Sequence, residues 1–296
     1  MSKQKPDGSV AKSDLDHVRH DPGHVLAPGL FRSLGPGDRK RMKLDVSYQH
    51  GDDKIEFKAF EPLGADDMRV LQGLVAMSGP DGLIMEDHDD LDEVSKQLQL
   101  SLFKPPAEFR IAEQKPKTLV LRGSFRRVAR EIGMSEGGQS LRNIKRCIER
   151  LYSVTVFVET GGERYGTRLL SSYSSNEETG QLYVALNPRI SQAVMGHRQH
   201  IRIDLDEMRE LSSDPSRLIH QRLSGWIDPG KTGRVSLDKL AEYVWPDTAK
   251  SDDVQRKRRQ KVRKSLKELG SAGWRIAEAK NGVCEIRRPR VIRGKT

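Results

Sequence analysis

Cysteine is almost missing from this 296-residue sequence: Cys147 and Cys284 are the only two, and each stands among apolar neighbours. They form no zinc-ligand spacing, so two buried thiols in a reducing compartment are expected. Aromatic residues are also scarce, at 5%, which argues against a single large core lined with rings. No apolar run reaches the roughly 20 residues of a membrane-spanning helix, and the stretch MSKQKPDGSVAKSD is polar, with no apolar signal core. A soluble protein of the bacterial cytoplasm, without membrane partners, is the expectation.

Catalytic signatures are lacking too. DPGKTG (228–233) has Gly-Lys-Thr but neither the earlier glycine of a phosphate-binding loop nor a strand before it. It is expected to be a turn between helices, not a nucleotide site. HRQH (197–200) puts two polar residues between its histidines, where a replication nickase needs one apolar residue, and none of the six tyrosines has a supporting motif. HVRHDPGH, with His17, His20 and His24, is the other metal candidate and carries no further signal. The sequence therefore predicts no enzyme, no catalytic residue, no metal and no cofactor.

Acid is in deficit: 42 Asp and Glu face 52 Lys and Arg, for a net charge of +10 and a pI near 9.6. That excess favours a polyanionic partner, through long-range attraction and counterion release. Much of it is concentrated. Eight of the twelve positions from Arg256 to Lys267 are lysine or arginine.

Residues 1–26 mix polar and charged residues without periodicity and are expected to be a mobile arm. The following stretch predicts strands at VSYQ and KIEFKAF and a helix over ADDMRVLQGLVAM. The acidic EDHDDLDEVSKQ (86–97) reads as a loop or a short exposed helix placed away from any DNA. From Lys117 an order emerges: strand LVL, then a short helix SFRRVAREIG with Ser124 as its cap and Gly133 as its terminator. A Gly-rich turn, a second helix SLRNIKRCIERLY, and a hairpin from VTVFVET and RYGTRLLSSY follow. Helix, turn, helix, hairpin is the order of a winged helix. It returns in the last third as DPSRLIHQRLSGWI, SLDKLAEYVW, the basic stretch itself, and a hairpin closed by Asn281-Gly282. Superposed, Val128, Ala129 and Ile132 fall on Leu240, Ala241 and Val244, and Ile148 and Leu151 fall on Leu266 and Leu269. The expected fold is α+β, with two winged-helix domains in tandem at 27–200 and 201–296.

Helical periodicity sorts the basic stretch. Val262, Leu266 and Leu269 share one face, extended by Gln255 and Arg258, behind a cap at Asp252 and Asp253. Arg256, Lys257, Gln260, Lys264 and Lys267 lie opposite, flanked by Arg259, Lys261 and Arg263. A merely solvated helix would interleave glutamates with its lysines. In the first copy Leu141, Ile144, Ile148 and Leu151 face inward, while Gln139, Ser140, Arg142, Asn143, Arg146 and Arg150 form the candidate outer face. Arg164 in the first hairpin, with Lys280, Arg287 and Arg288 in the second, complete the candidate DNA-binding set. In a helix-turn-helix the second helix enters the major groove, where arginine pairs with guanine and glutamine or asparagine with adenine. Two modules on one duplex face would span roughly two turns, at about 10.5 base pairs each. The first helix reads as the more discriminating, and the second as the source of affinity.

HVRHDPGHVLAPGLFRSL, EPLGADDMRVLQGLVAMSGP, LYVALNPRISQAVMG and HQRLSGWIDPGKTGRVSLDKLAEYVWP closely resemble segments of the RepC replication initiators of IncQ-type broad-host-range plasmids. The resemblance covers nearly the whole chain after the arm and departs in the arm and in the acidic loop. It implies an initiator that binds tandem direct repeats (iterons) in double-stranded origin DNA, opens adjacent A·T-rich DNA and supports helicase loading. A plasmid-encoded helicase, and with it a primase, are the implied protein partners. Monomer and homodimer through the N-terminal domain both stay open. The alternative from another class is a dimeric winged-helix transcriptional repressor.

Overall fold

The computed structural model describes residues 13, 15–79, 82–84, 118–176 and 178–291. The acidic stretch 86–97 lies outside them. The chain opens with strand β1 (His17–His20) and a single helical turn, α1 (Pro22–Val25). A second turn, α2 (Asp38–Arg41), precedes a hairpin of β2 (Leu44–His50) and β3 (Asp53–Ala59), and then helix α3 (Ala65–Met77). Next come β4 (Gly82–Ile84), β5 (Leu119–Ser124), α4 (Phe125–Glu131) and α5 (Gly138–Ser153). Four strands follow, β6 (Thr155–Thr160), β7 (Glu163–Arg168), β8 (Leu170–Ser175) and β9 (Gln181–Leu186), then α6 (Pro188–Val194). A connection of β10 (Ile201–Asp204) and α7 (Leu205–Glu210) leads to α8 (Asp214–Trp226), β11 (Thr232–Ser236), α9 (Leu237–Val244), α10 (Asp252–Ser271), β12 (Arg275–Glu278) and β13 (Val283–Arg287).

The duplication is present in the sheets as well as in the helices. One sheet has the order β4-β5-β9-β8 and the other β11-β13-β12, so the strand before the helix pair lies beside the last strand of the hairpin in both units. Each of those first strands runs straight into a helix through a serine. Ser124 Oγ accepts from the Arg127 amide at 3.2 Å and Ser236 Oγ from the Lys239 amide at 3.1 Å, satisfying one orphan donor of each helix. Gly133, at φ +67°, lets the chain leave α4 in the left-handed conformation that a side chain would resist. All ten superposed apolar residues are buried, the most exposed being Leu266 at 5%.

The sheet order corrects one expectation. The hairpin β6–β7, assigned from sequence as the first wing, joins β3 in a four-stranded sheet of order β2-β3-β6-β7. The counterpart of the C-terminal hairpin is β8–β9, and β6–β7 is an insertion between the second helix of the pair and the true wing. Alternation along 155–186 identifies strands but not their partners, because pairing is settled by which sheet face each strand buries. Leu169, buried between β7 and β8, marks the crossing from one sheet to the other.

The expected mobile arm is corrected over residues 15–26; residues 1–12 and 14 lie outside the described residues. His17–His20 pair antiparallel with Ile201–Asp204, and His20, Asp21 and His24 are buried. The polar residues that suggested an arm satisfy one another. Asp21 caps α1 and accepts from His24 Nδ1 at 2.7 Å and Arg189 Nε at 3.2 Å, and the Arg189 guanidinium also holds Asp53. His24 meets the Phe57 ring edge-on at 5.4 Å. The strap so formed lies across the expected boundary at residue 200, since β1 belongs to the first unit and β10 begins the second. Helices α3 and α8, equivalent in the two units, meet through a 2.7 Å hydrogen bond from Gln72 Nε2 to Gln221 Oε1.

Replacing Arg189 with Met leaves Asp21 buried with only its histidine, and should cost about 3–5 kcal/mol in a urea titration. Burial pushes the His20 imidazole down to about 4, whereas the unfolded chain keeps about 6.5. In that window the unfolded state binds the extra proton, so stability should fall as pH drops from about 6.5 to about 4, and His20→Asn should flatten the fall.

Candidate nucleic-acid interface

Helix α5 is held by Ile144, Cys147, Ile148 and Leu151, all at most 1% exposed. Gln139, Arg142 and Arg146 are exposed on the opposite side. Arg142 takes the Gln139 side-chain carbonyl at 2.9 Å, and Arg146 has no polar partner among the described residues. Ser140, half-buried, exchanges a 2.7 Å hydrogen bond with Ser135.

Two residues assigned outward do not point there. Asn143 donates to Asp66 of α3 at 2.8 Å. Arg150 donates through Nε to Asp67 at 2.8 Å, and its side chain is only 14% exposed. Asp67 explains this. It sits in the first turn of α3, is fully buried, accepts the Gly64 amide at 2.7 Å and also pairs with Arg39. A buried carboxylate must be matched by charge and hydrogen bonds, and Arg150 supplies that match together with Arg39. It fastens α5 to α3.

Arg164 lies on the inserted hairpin and belongs to neither wing. It clasps Glu56 of β3 with both Nη atoms, at 3.1 and 2.9 Å, and stacks on Phe157 with 4.9 Å to the ring centroid. That hydrogen-bonded grip is the main reason the Glu56 carboxyl falls to about 2. The first unit's own wing turn instead carries Glu178.

Helix α10 buries Val262, Leu266 and Leu269, as the periodicity predicts, and Ser265 with them; its cap is Ser251, one residue before the expected Asp252 and Asp253. Gln255 and Arg258 lean to that side: Gln255 donates to Asp238 and Arg258 to the Asp247 carbonyl, both at 2.6 Å. The cations fall into two groups. Arg256 and Lys257 pair with Asp253 one turn earlier, Arg259 grips Asp238 of α9, and Arg263 grips Glu278 of β12. Gln260, Lys264 and Lys267 are exposed with no polar partner among the described residues, and the Lys261 ammonium lies 5.6 Å from the Trp245 ring centroid. Lys280 and Arg287 are exposed on the second hairpin.

Arg288 is a correction. It is 5% exposed, and its guanidinium donates to the carbonyls of Ser224, Ile227 and Arg202. Those at 224 and 227 belong to the end of α8, where carbonyls lack intrahelical partners. Arg288 closes that helix end and cannot reach a phosphate. A basic cluster in sequence does not distinguish it from its exposed neighbour Arg287, because strand alternation alone separates them. Conversely, Arg126 is exposed in the first turn of α4. Helix-turn-helix reasoning singles out the second helix of the pair as the one that enters the groove and so passes over this residue.

Among the described residues, no group of three or more His, Cys, Asp or Glu is placed to hold a metal, and no helix is long and apolar enough to cross a membrane. Both cysteines are free and buried, and burial raises their thiols above the ordinary range.

Lys264→Ala should therefore weaken binding to all duplexes alike and lower the salt slope by about one unit, read by anisotropy across a salt series. Arg288→Ala should lower thermal stability and leave that slope unchanged.

The replication protein C (RepC) family model matches residues 12–290. No curated protein matches in sequence. Two crystal structures of domains 2 and 3 of RctB share the fold. One has a TM-score of 0.54 at 11% identity, covering 90% of this chain and 97% of that one; the other has 0.53 at 10% identity, covering 90% and 95%. The Pi initiator protein in complex with iteron DNA matches at 0.43 with 14% identity, over 56% of this chain and 79% of that one, too loosely to argue from. The fold is thus α+β with two winged-helix units, and a family match spanning nearly the whole sequence adds the identity: the chain belongs to the replication protein C family.

Proposed function

We propose that this protein initiates plasmid replication by binding tandem direct repeats in origin DNA through both winged-helix units, without catalysing a reaction itself. One observation carries the reading. The same unit occurs twice, and each copy anchors its second paired helix by an apolar stripe that leaves a cationic or amide-bearing face in solvent. In a helix-turn-helix that face enters the major groove. Arg142, Arg146, Gln139, Gln260, Lys261, Lys264 and Lys267 are the residues free to meet bases and phosphates. Both units have a wing, but only the second one carries exposed cations, Lys280 and Arg287, available to the backbone.

The two units differ in sequence and charge, so a single chain is an asymmetric reader suited to repeats of one orientation. Several chains on adjacent repeats would bend the duplex, and flexible A·T-rich steps nearby would yield first. A plasmid-encoded helicase, with a primase, would then act on the opened strand. The enzymatic work is assigned to those partners because the sequence carries no phosphate-binding loop motif.

Hydroxyl-radical footprinting on the plasmid's own origin tests the reading. Protection should repeat at equal intervals with one orientation. A single protected palindrome would instead indicate a dimeric transcriptional repressor and contradict it.

A further inference from the structure

Arg259 and Arg263 stand one turn apart on α10, and each is gripped along the same edge of its guanidinium. Arg259 donates through Nε and Nη2 to the two oxygens of Asp238, at 2.6 and 2.7 Å. Arg263 donates through Nε to both oxygens of Glu278, at 3.1 and 3.0 Å, and through Nη2 at 2.8 Å. The carboxylates come from the two elements that flank the helix: Asp238 from the first turn of α9 and Glu278 from the end of β12. Gln255 steadies Asp238 with a further 2.6 Å hydrogen bond.

A guanidinium has five N–H donors. A side-on grip through Nε and one Nη2 hydrogen leaves the end edge, Nη1 and the rest of Nη2, unspent. That end edge is the pair of donors that fits guanine O6 and N7. Both arginine side chains remain nearly half exposed, at 45% and 46%, and no other partner for either end edge occurs among the described residues. The carboxylates are hard to explain otherwise. Exposed ion pairs contribute little to stability, and on a surface that attracts phosphates each one removes a unit of the useful charge. What a carboxylate does supply is a fixed direction for a long side chain that would otherwise lose its rotamer freedom on binding.

We propose that Asp238 and Glu278 are positioning residues that hold Arg259 and Arg263 ready to read two guanines in each repeat. The four residues from Arg259 to Arg263 advance about 6 Å along the helix against about 3.4 Å per base step, so those guanines lie about two steps apart. Arg142 of α5 has only a single contact to a neutral amide, which makes α10 the more selective helix. This inference rests on the DNA-binding function proposed above.

The test compares the full chain with Asp238→Asn, Glu278→Gln and Arg259→Lys on an origin-repeat duplex and on a scrambled duplex of equal length, by anisotropy at fixed salt. Arg259 and Glu278 are exposed and Asp238 is half-buried, and matched circular dichroism and melting confirm the fold of each of the three variants. Wild type should prefer the repeat and lose about 10-fold when either of two guanines is changed to adenine. Asp238→Asn and Glu278→Gln, each with one negative charge fewer, should bind the scrambled duplex at least as tightly, while their preference for the repeat falls about 10-fold. Arg259→Lys, which keeps the charge and loses the fork, should lose the same preference. If the two amide variants tighten both duplexes equally, the carboxylates only damp charge and the proposal is overturned. If wild type itself shows no preference for the repeat, the DNA-binding function fails, and this inference with it.

Discussion

The rotation of two helices about their own axes determines everything this protein can present to a partner. In each unit the second helix of the pair is locked by an apolar stripe, Ile144–Ile148–Leu151 in α5 and Val262–Leu266–Leu269 in α10. Each such side chain contributes about 1.5–3 kcal/mol on burial. An exposed ion pair contributes about 0–1 kcal/mol. The stripe therefore sets the rotation, and the cations take whatever direction it leaves them. A second fastening lies further along each helix. Arg150 reaches Asp67 in the first turn of α3, and Glu268 accepts the backbone amides of Ser212 and Ser213 where α8 begins. These two residues are equivalent under the superposition that aligns Ile148 with Leu266. The units thus use opposite charges at one position for one job, tying the paired helix to the start of the unit's first helix.

That position also shows what sequence reasoning can and cannot see. The stripes, the capping serines, the Gly133 stop and the alignment of the two copies were legible because each depends on local spacing. The direction of an individual arginine was not, since Arg150 and Arg146 differ only in whether a buried carboxylate lies within reach. Asp67 is 83 residues away in sequence from Arg150 and leaves no local trace. Arg288 was misread for a similar reason, its partners being carbonyls of α8 and β10. The N-terminal strap was missed because HVRHDPGH looks polar, yet His24, Asp21 and Arg189 bury their polarity in one another. The wing of the first unit was misplaced because consecutive strands announce themselves while their pairing does not.

Charge distribution changes meaning once these partners are known. The basic run of α10 is not uniformly available: Arg256 and Lys257 answer to Asp253, while Arg259 and Arg263 are held from neighbouring elements. Lys264 and Lys267 remain as plain cations, suited to phosphates. A surface that looked in sequence like an undivided source of affinity is divided into held and free positions. In the first unit the outer face is sparser, with Arg142 and Arg146 exposed and an acidic residue, Glu178, in the wing turn. The two units are one architecture with different electrostatic faces, the asymmetry on which the proposed reading of directional repeats rests.

The central claim is that both anchored helices face DNA at once. A cryo-EM or diffraction map of the chain on a single direct repeat tests it most directly. The account predicts α5 and α10 in successive major grooves on one face of the duplex, with Arg142 and Arg146 on one and Gln260 and Lys264 on the other within hydrogen-bonding distance of it. A complex in which either helix keeps that outer face in solvent would contradict it.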